Sequence, residues 1–191
     1  MSDIFSSTSI IPEEFLDSAS GNVFRIEQAK GLPEGERALI FLSSAKYGTS
    51  IPPKQFLCLY SATTEVVDNT TYNKPGFSHP FNAYAVAIKK GYTAFPTTIE
   101  PSTCTLGLFA NDALGGDVDP IRQYANATLC MQFRKHYHNG VQISLHSQKK
   151  IKSGEEVTLC YGNSYTRYLK QQIRNQREQG KEEQKEDMQI K

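Results

Sequence analysis

From residue 23 onward the chain is a series of short apolar runs, rich in β-branched and aromatic residues and closed by turn residues, and no long stretch of helical period separates them. Val23-Phe24-Arg25-Ile26, Ala38-Leu39-Ile40-Phe41-Leu42, Phe56-Leu57-Cys58-Leu59-Tyr60, Tyr84-Ala85-Val86-Ala87-Ile88 and residues 129–133, 141–145 and 157–161 each read as a strand. Their spacing is too uneven for a regular sandwich. Without amphipathic helices of about 10 to 15 residues between strands, a doubly wound α/β fold is also disfavoured. The expectation is a mainly β protein of several small sheets with short helices. At 191 residues, 38% of them apolar, one domain is the default.

The ends differ from this middle. Residues 1–20 read as an N-terminal arm, Ser-rich, in which Pro12-Glu13-Glu14-Phe15-Leu16 can begin a short helix with Pro in its first turn. Residues 169–191 read as a polar, charged tail: from Lys170 onward its only large apolar residues are Ile173, Met188 and Ile190, too few for an apolar stripe. The domain is expected over residues 21–168, with an insert at about 68–100.

A net charge of +1 with 21% charged residues creates no large field, so global electrostatics supports neither nucleic-acid nor membrane-surface binding. The first eleven residues lack a basic segment followed by an apolar run, and no stretch reaches the ~18 apolar residues of a membrane span, which predicts a soluble, intracellular protein. On that reading the triplets Asn69-Thr70-Thr71 and Asn126-Ala127-Thr128 are chance matches to a glycosylation acceptor. Cys58, Cys104, Cys130 and Cys160 form no C-x-x-C pair, so buried thiols are expected rather than a zinc ribbon or disulfide scaffold. His136-x-His138 has no third ligand in view and reads as a hairpin tip with Asn139-Gly140, so no metal is expected. Lys149, Lys150 and Lys152 read as a solvated turn. Asp117 to Pro120 either selects a basic substrate peptide or is an ordinary loop.

The most informative stretch begins at residue 141. Val141, Ile143 and Leu145 alternate with Gln142, Ser144 and His146 as in a half-buried strand, and a polar turn ending at Gly154 follows. Beyond it Val157, Leu159 and Tyr161 share one face of the next strand, leaving a tyrosine hydroxyl at the strand's end that needs a partner or a cavity. Taken singly, Tyr161 would be a core tyrosine, Asn111 a turn or cap residue, and Glu155-Glu156 a solvated strand start.

Together these residues carry a resemblance. Ile151-Lys152-Ser153-Gly154-Glu155-Glu156-Val157-Thr158-Leu159-Cys160-Tyr161-Gly162 resembles the I-x-x-G-E-E-[LV]-x-x-x-Y-G signature that closes the SET domain of protein lysine methyltransferases. Ser50-Ile51-Pro52-Pro53-Lys54-Gln55-Phe56-Leu57-Cys58-Leu59-Tyr60 resembles that family's D-I-x-x-G-x-F-[LI]-x-x-Y strand. Gly107-Leu108-Phe109-Ala110-Asn111-Asp112-Ala113-Leu114 with Asn126-Ala127 resembles its R-F-x-N-H-S-C-x-x-N-[AC] segment. Three motifs in order span most of the chain.

The resemblance implies small β-sheets around a pseudoknot-like thread at which Asn111-Asp112 and residues 155–161 meet, with S-adenosyl-L-methionine on one side and a target lysine entering from the other. The activity implied is lysine N-methylation of a protein or peptide, a histone tail among the possibilities. Tyr161 would be the catalytic residue and Tyr84 and Phe109 the channel walls. Ser43, Ser44, Ala45, Lys46, Asn111 and Asp112 would hold the donor, with Tyr165 or Tyr168 over its adenine. The Glu155-Glu156 pair would be structural.

Residue types suit that chemistry: a lysine amine, with pKa ~10.4 in water, must be neutral to attack a methyl group, and an aromatic channel beside a sulfonium disfavours its charged form. Departures from the pattern motivate a second reading, a catalytically inactive SET-like protein-interaction module. Leu42-Ser43-Ser44-Ala45-Lys46, aligned with the family's G-x-G-x-[FW], holds neither glycine; Asp112 stands for the His; and no Cys follows Cys160.

Overall fold

The computed structural model describes residues 13–29, 36–88, 91–112, 125–133 and 141–160. These residues form thirteen strands in five small sheets, so the mainly β architecture expected from the sequence is found. In the first sheet β1 (Glu13–Asp17), β2 (Asn22–Gln28) and β3 (Arg37–Ser44) lie side by side and antiparallel. The short helix expected after Pro12 is therefore strand β1, and the folded unit begins earlier than residue 21. Local helix chemistry loses here to ladder pairing, with Phe15 opposite Phe24.

β2 shows a two-residue period in which Phe24 and Ile26 are buried. β3 is apolar on both faces because both are covered. Leu39 and Phe41 enter the main core, whereas Ala38 and Ile40 form a second cluster with Ala29. The β3 edge away from β2 is taken by the closing signature: Gly154 N donates to Phe41 O (2.8 Å), Phe41 N to Glu155 O (3.0 Å) and Val157 N to Leu39 O (2.8 Å).

The second sheet has the order β10 (Ala127–Phe133), β11 (Val141–Ser147), β5 (Phe56–Ser61). Two-stranded pieces complete the body: β4 (Ser50–Ile51) with β12 (Ile151–Lys152), and β9 (Asn111–Asp112) parallel to β13 (Thr158–Leu159). The buried faces of these pieces meet in one core containing Ile51, Leu57, Ile143, Leu145, Ile151 and Leu159.

Residues 64–96, which overlap the segment expected as an insert, form a small sheet with the order β6 (Thr64–Asp68), β8 (Tyr92–Pro96), β7 (Val86–Ile88), carrying helix α1 (Asn69–Tyr72). Its own core is aromatic, with Tyr72, Phe77 and the His79 ring around the fully buried Phe95. Residue 84, expected in a strand, instead ends a 3-10 turn (Asn82–Tyr84). Of the four cysteines, all free, only Cys58 is fully buried; Cys104 is exposed. Burial pushes the Cys58 thiol pKa well up, with Asp17 adding to the effect. Among the described residues no helix is long and apolar enough to cross a membrane, and no group of three metal-ligating side chains occurs.

Candidate active site

Residues 154–159 of the terminal signature are clamped on three sides. β3 holds their backbone on one edge, and β9 runs parallel to them on another, pairing Asn111 with Thr158 and Asp112 with Leu159. Asn126 supplies the third: its Nδ2 donates to Glu156 O (2.7 Å) and its Oδ1 accepts from Thr158 N (2.8 Å). The meeting of Asn111-Asp112 with the terminal signature is thus present, and the Asn126 side chain is consumed in securing it. Glu155 Oε2 accepts from Lys152 N (2.9 Å) and closes the preceding turn around Gly154, whose φ of +83° favours glycine.

Beside this clamp lies a cleft of about 320 Å³. Glu36 and Arg37 line it from the start of β3, Tyr84 from the insert, Ile99 and Glu100 from the connection after β8, and Leu108, Phe109 and Asn111 from the turn leading into β9. That last turn (Leu106–Phe109) is fully buried and sits directly on β5. A Cβ at Gly107 would come within 2.8 Å of Tyr60 Cα, so glycine is what permits the approach. On the other wall the Tyr60 hydroxyl donates to Tyr84 O (3.1 Å), tying the insert to the body. The Arg37 guanidinium lies 5.8 Å from the Phe109 ring centroid, within cation–π range.

Asn111 links cleft and clamp. Its Nδ2 donates to Arg37 O (2.8 Å) and to Glu156 Oε1 (2.9 Å). The Glu156 carboxyl is half-buried. Burial raises its pKa, the Asn111 amide partly opposes this, and Glu27 adds to the rise.

The structure therefore brings Tyr84, Phe109 and Asn111 together at one cleft and leaves Ser43, Ser44, Ala45 and Lys46 elsewhere. Those four occupy the turn at the opposite end of β3, seven residues from Arg37 or about 23 Å of extended chain. The turn satisfies itself: Ser44 and Gly48 exchange backbone bonds, Ser44 Oγ accepts from Lys46 N and Tyr47 N, and Ala45 N donates to Gly21 O. Asp112 is placed by its backbone pairing with Leu159. Tyr161, Tyr165 and Tyr168, residues 117–120 and the His136-x-His138 pair lie outside the described residues.

The cleft residues that sequence reasoning missed include Glu36, Arg37, Ile99 and Glu100. A signal for the first two was available. The connection before them carries Gly31 and Gly35 ahead of an apolar run, whereas the alignment above sets the glycine motif on residues 42–46.

No protein-family model matches the chain, and no curated protein matches it. Among solved structures it is similar to a protein of Plasmodium falciparum provisionally named a histone methyltransferase, at 16% identity and a TM-score of 0.45, over 74% of this chain and 95% of that one. It is also similar to CpSET8 from Cryptosporidium, at 16% identity and a TM-score of 0.46, over 75% of this chain and 58% of that one. At these values the functional reading rests on the chain's own residues.

Proposed function

We propose that the chain is a SET domain that binds S-adenosyl-L-methionine at the cleft and methylates a lysine of an intracellular protein or peptide, histone tails being the first substrates to try. The observation that carries this reading is the convergence of Tyr84, Phe109 and Asn111 on one cleft. The residues fit a ligand that carries both signs, as the donor does with its sulfonium, ammonium and carboxylate, Arg37 being the lining's cation. Phe109 and Tyr84 offer aromatic surface, Asn111 has only its carbonyl oxygen left to offer, and Glu36 and Glu100 place carboxylates on the lining. When bound, the donor would supply an electrophilic methyl group on a sulfonium. The chain's part would be to orient and desolvate: aromatic surface would strip water from the incoming amine and favour its neutral form, and Asn111, through its oxygen, would hold the donor's ammonium. Tyr161, two residues beyond β13, remains the candidate for orienting the amine.

Calorimetric titration with S-adenosyl-L-methionine tests this without a guessed substrate. Micromolar binding, worth about 8 kcal/mol, is expected in the wild type and should weaken in Asn111→Ala. Absence of binding in a folded wild type would remove the enzyme reading and favour a non-catalytic interaction module.

A further inference from the structure

The Asn111 amide is held in one orientation by two acceptors. Both Nδ2 hydrogens are committed, one to the Arg37 carbonyl and one to the Glu156 carboxylate, so the side chain can offer a ligand only Oδ1. Turned over, the amide would set Oδ1 against a carbonyl and a carboxylate at once, a doubly repulsive arrangement. The Arg37 contact comes from backbone and exists whatever residue stands at position 37. The Glu156 contact comes from a side chain that could have been anything polar or apolar, and it is therefore the informative one.

Glu156 is itself held. Its backbone bridges to Ile40 of β3, and its carbonyl accepts from Asn126. Among the described residues no cation pairs with its carboxylate. Arg25, across β3 from it, is engaged with Glu27 at 2.9 Å, and Arg37 leans over Phe109. Glu156 thus stands half-buried with Asn111 as its hydrogen-bond partner, its burial and the nearby Glu27 both working against its charge. A carboxylate retained in such a place, aimed at the one amide that lines the cleft, is a polarity-setting device.

We propose that Glu156 is a positioning residue that locks the Asn111 amide with its oxygen toward the cleft, and so makes this end of the cleft select a ligand's protonated amine. The ligand part of the proposal rests on the donor-binding reading above; the locking part does not. Wild type, Glu156→Gln and Glu156→Leu would each be titrated with S-adenosylhomocysteine and with its analogue bearing hydrogen in place of the α-amino group. The wild type should prefer the amine by about tenfold or more, the size of one charge-assisted hydrogen bond. Glu156→Leu should erase most of that preference, and Glu156→Gln, which keeps an acceptor oxygen for Asn111, should retain most of it. An equal loss for both ligands in Glu156→Leu, with the preference intact, would show a merely structural role and overturn the proposal.

A wild type that binds neither ligand would sink the donor reading, and the ligand-free protein then decides the locking. In its NMR spectrum the two Asn111 Nδ2 protons should be well dispersed and exchange slowly with water, and Glu156→Leu should collapse the dispersion and speed the exchange. An unchanged proton pair in Glu156→Leu would overturn the lock.

Discussion

The two ends of β3 are built on opposite principles. At its C-terminal end the chain turns through Ser43, Ser44, Ala45 and Lys46, and the turn answers its own polar groups: a reciprocal backbone pair with Gly48, a serine oxygen accepting two amides, and an Ala45 amide bonded to Gly21. At its N-terminal end Arg37, Asn111 and Glu156 form a connected set that is satisfied only in part. An amide oxygen is left open on the cleft, and a carboxylate is half-buried without a cation among the described residues. A saturated turn is what stability alone favours; a polar set held short of saturation costs stability and is where a binding function is to be sought.

Breaking the clamp should produce the largest effect. Asn126→Ala removes a donor to Glu156 O and an acceptor from Thr158 N, leaving two backbone groups next to β9 without these partners. The expected loss is about 2 to 4 kcal/mol in urea unfolding, with donor affinity falling as well because β13 no longer fixes Asn111. A variant with near-wild-type stability would mean that water replaces the asparagine and that the clamp is not what shapes the cleft.

At the other end a smaller change is expected, and of one kind only. Ser44→Ala removes the oxygen that accepts from Lys46 and Tyr47, at a cost of about 1 kcal/mol. Donor affinity in that variant should stay at the wild-type value. If affinity falls by more than stability explains, the turn belongs to the donor site as the sequence alignment has it, and the contrast between the two ends dissolves.

Much of the scaffold was legible because β periodicity and turn chemistry are local. All seven expected runs coincide with strands over at least part of their length, and the expected hairpin pairs residue 133 with Val141. The signature carried further than composition: Lys54 stands where the family pattern has glycine, and it adopts φ +65°, the only non-glycine residue among those described with positive φ. What was not legible depends on partners far away in sequence. Residues 13–17 gain their strand from pairing with β2, which no local preference announces. The glycine motif aligns with residues 42–46 beside the next strand, whereas the cleft draws on residues 36–37, 83–84, 99–101, 108–109 and 111, from four separate stretches that no local pattern joins. Glu156 read as a solvated strand start because nothing in the sequence tells that Asn111 crosses to meet it.

The smallest effect concerns the carboxylate itself, and its sign distinguishes a group kept for binding from one kept for stability. Because burial raises the Glu156 pKa in the folded chain, the folded state holds this proton to higher pH than the unfolded state, whose glutamates titrate near ~4.3. Between those two values the folded state binds more protons, so this group's contribution to stability falls as pH rises and is constant on either side. Glu156→Gln removes the titration while keeping an oxygen for Asn111. The stability difference, variant minus wild type, should therefore move in the variant's favour as pH rises through that window, then level off. Glu27, paired with Arg25, and Glu155 are present in both proteins, so their contributions cancel in the difference to first order. Urea unfolding of both proteins across this range measures it. A difference moving in the wild type's favour would mean that a cation, such as the Arg37 of the cleft, reaches the carboxylate in solution. The N-terminal end of β3 would then be as saturated as the other.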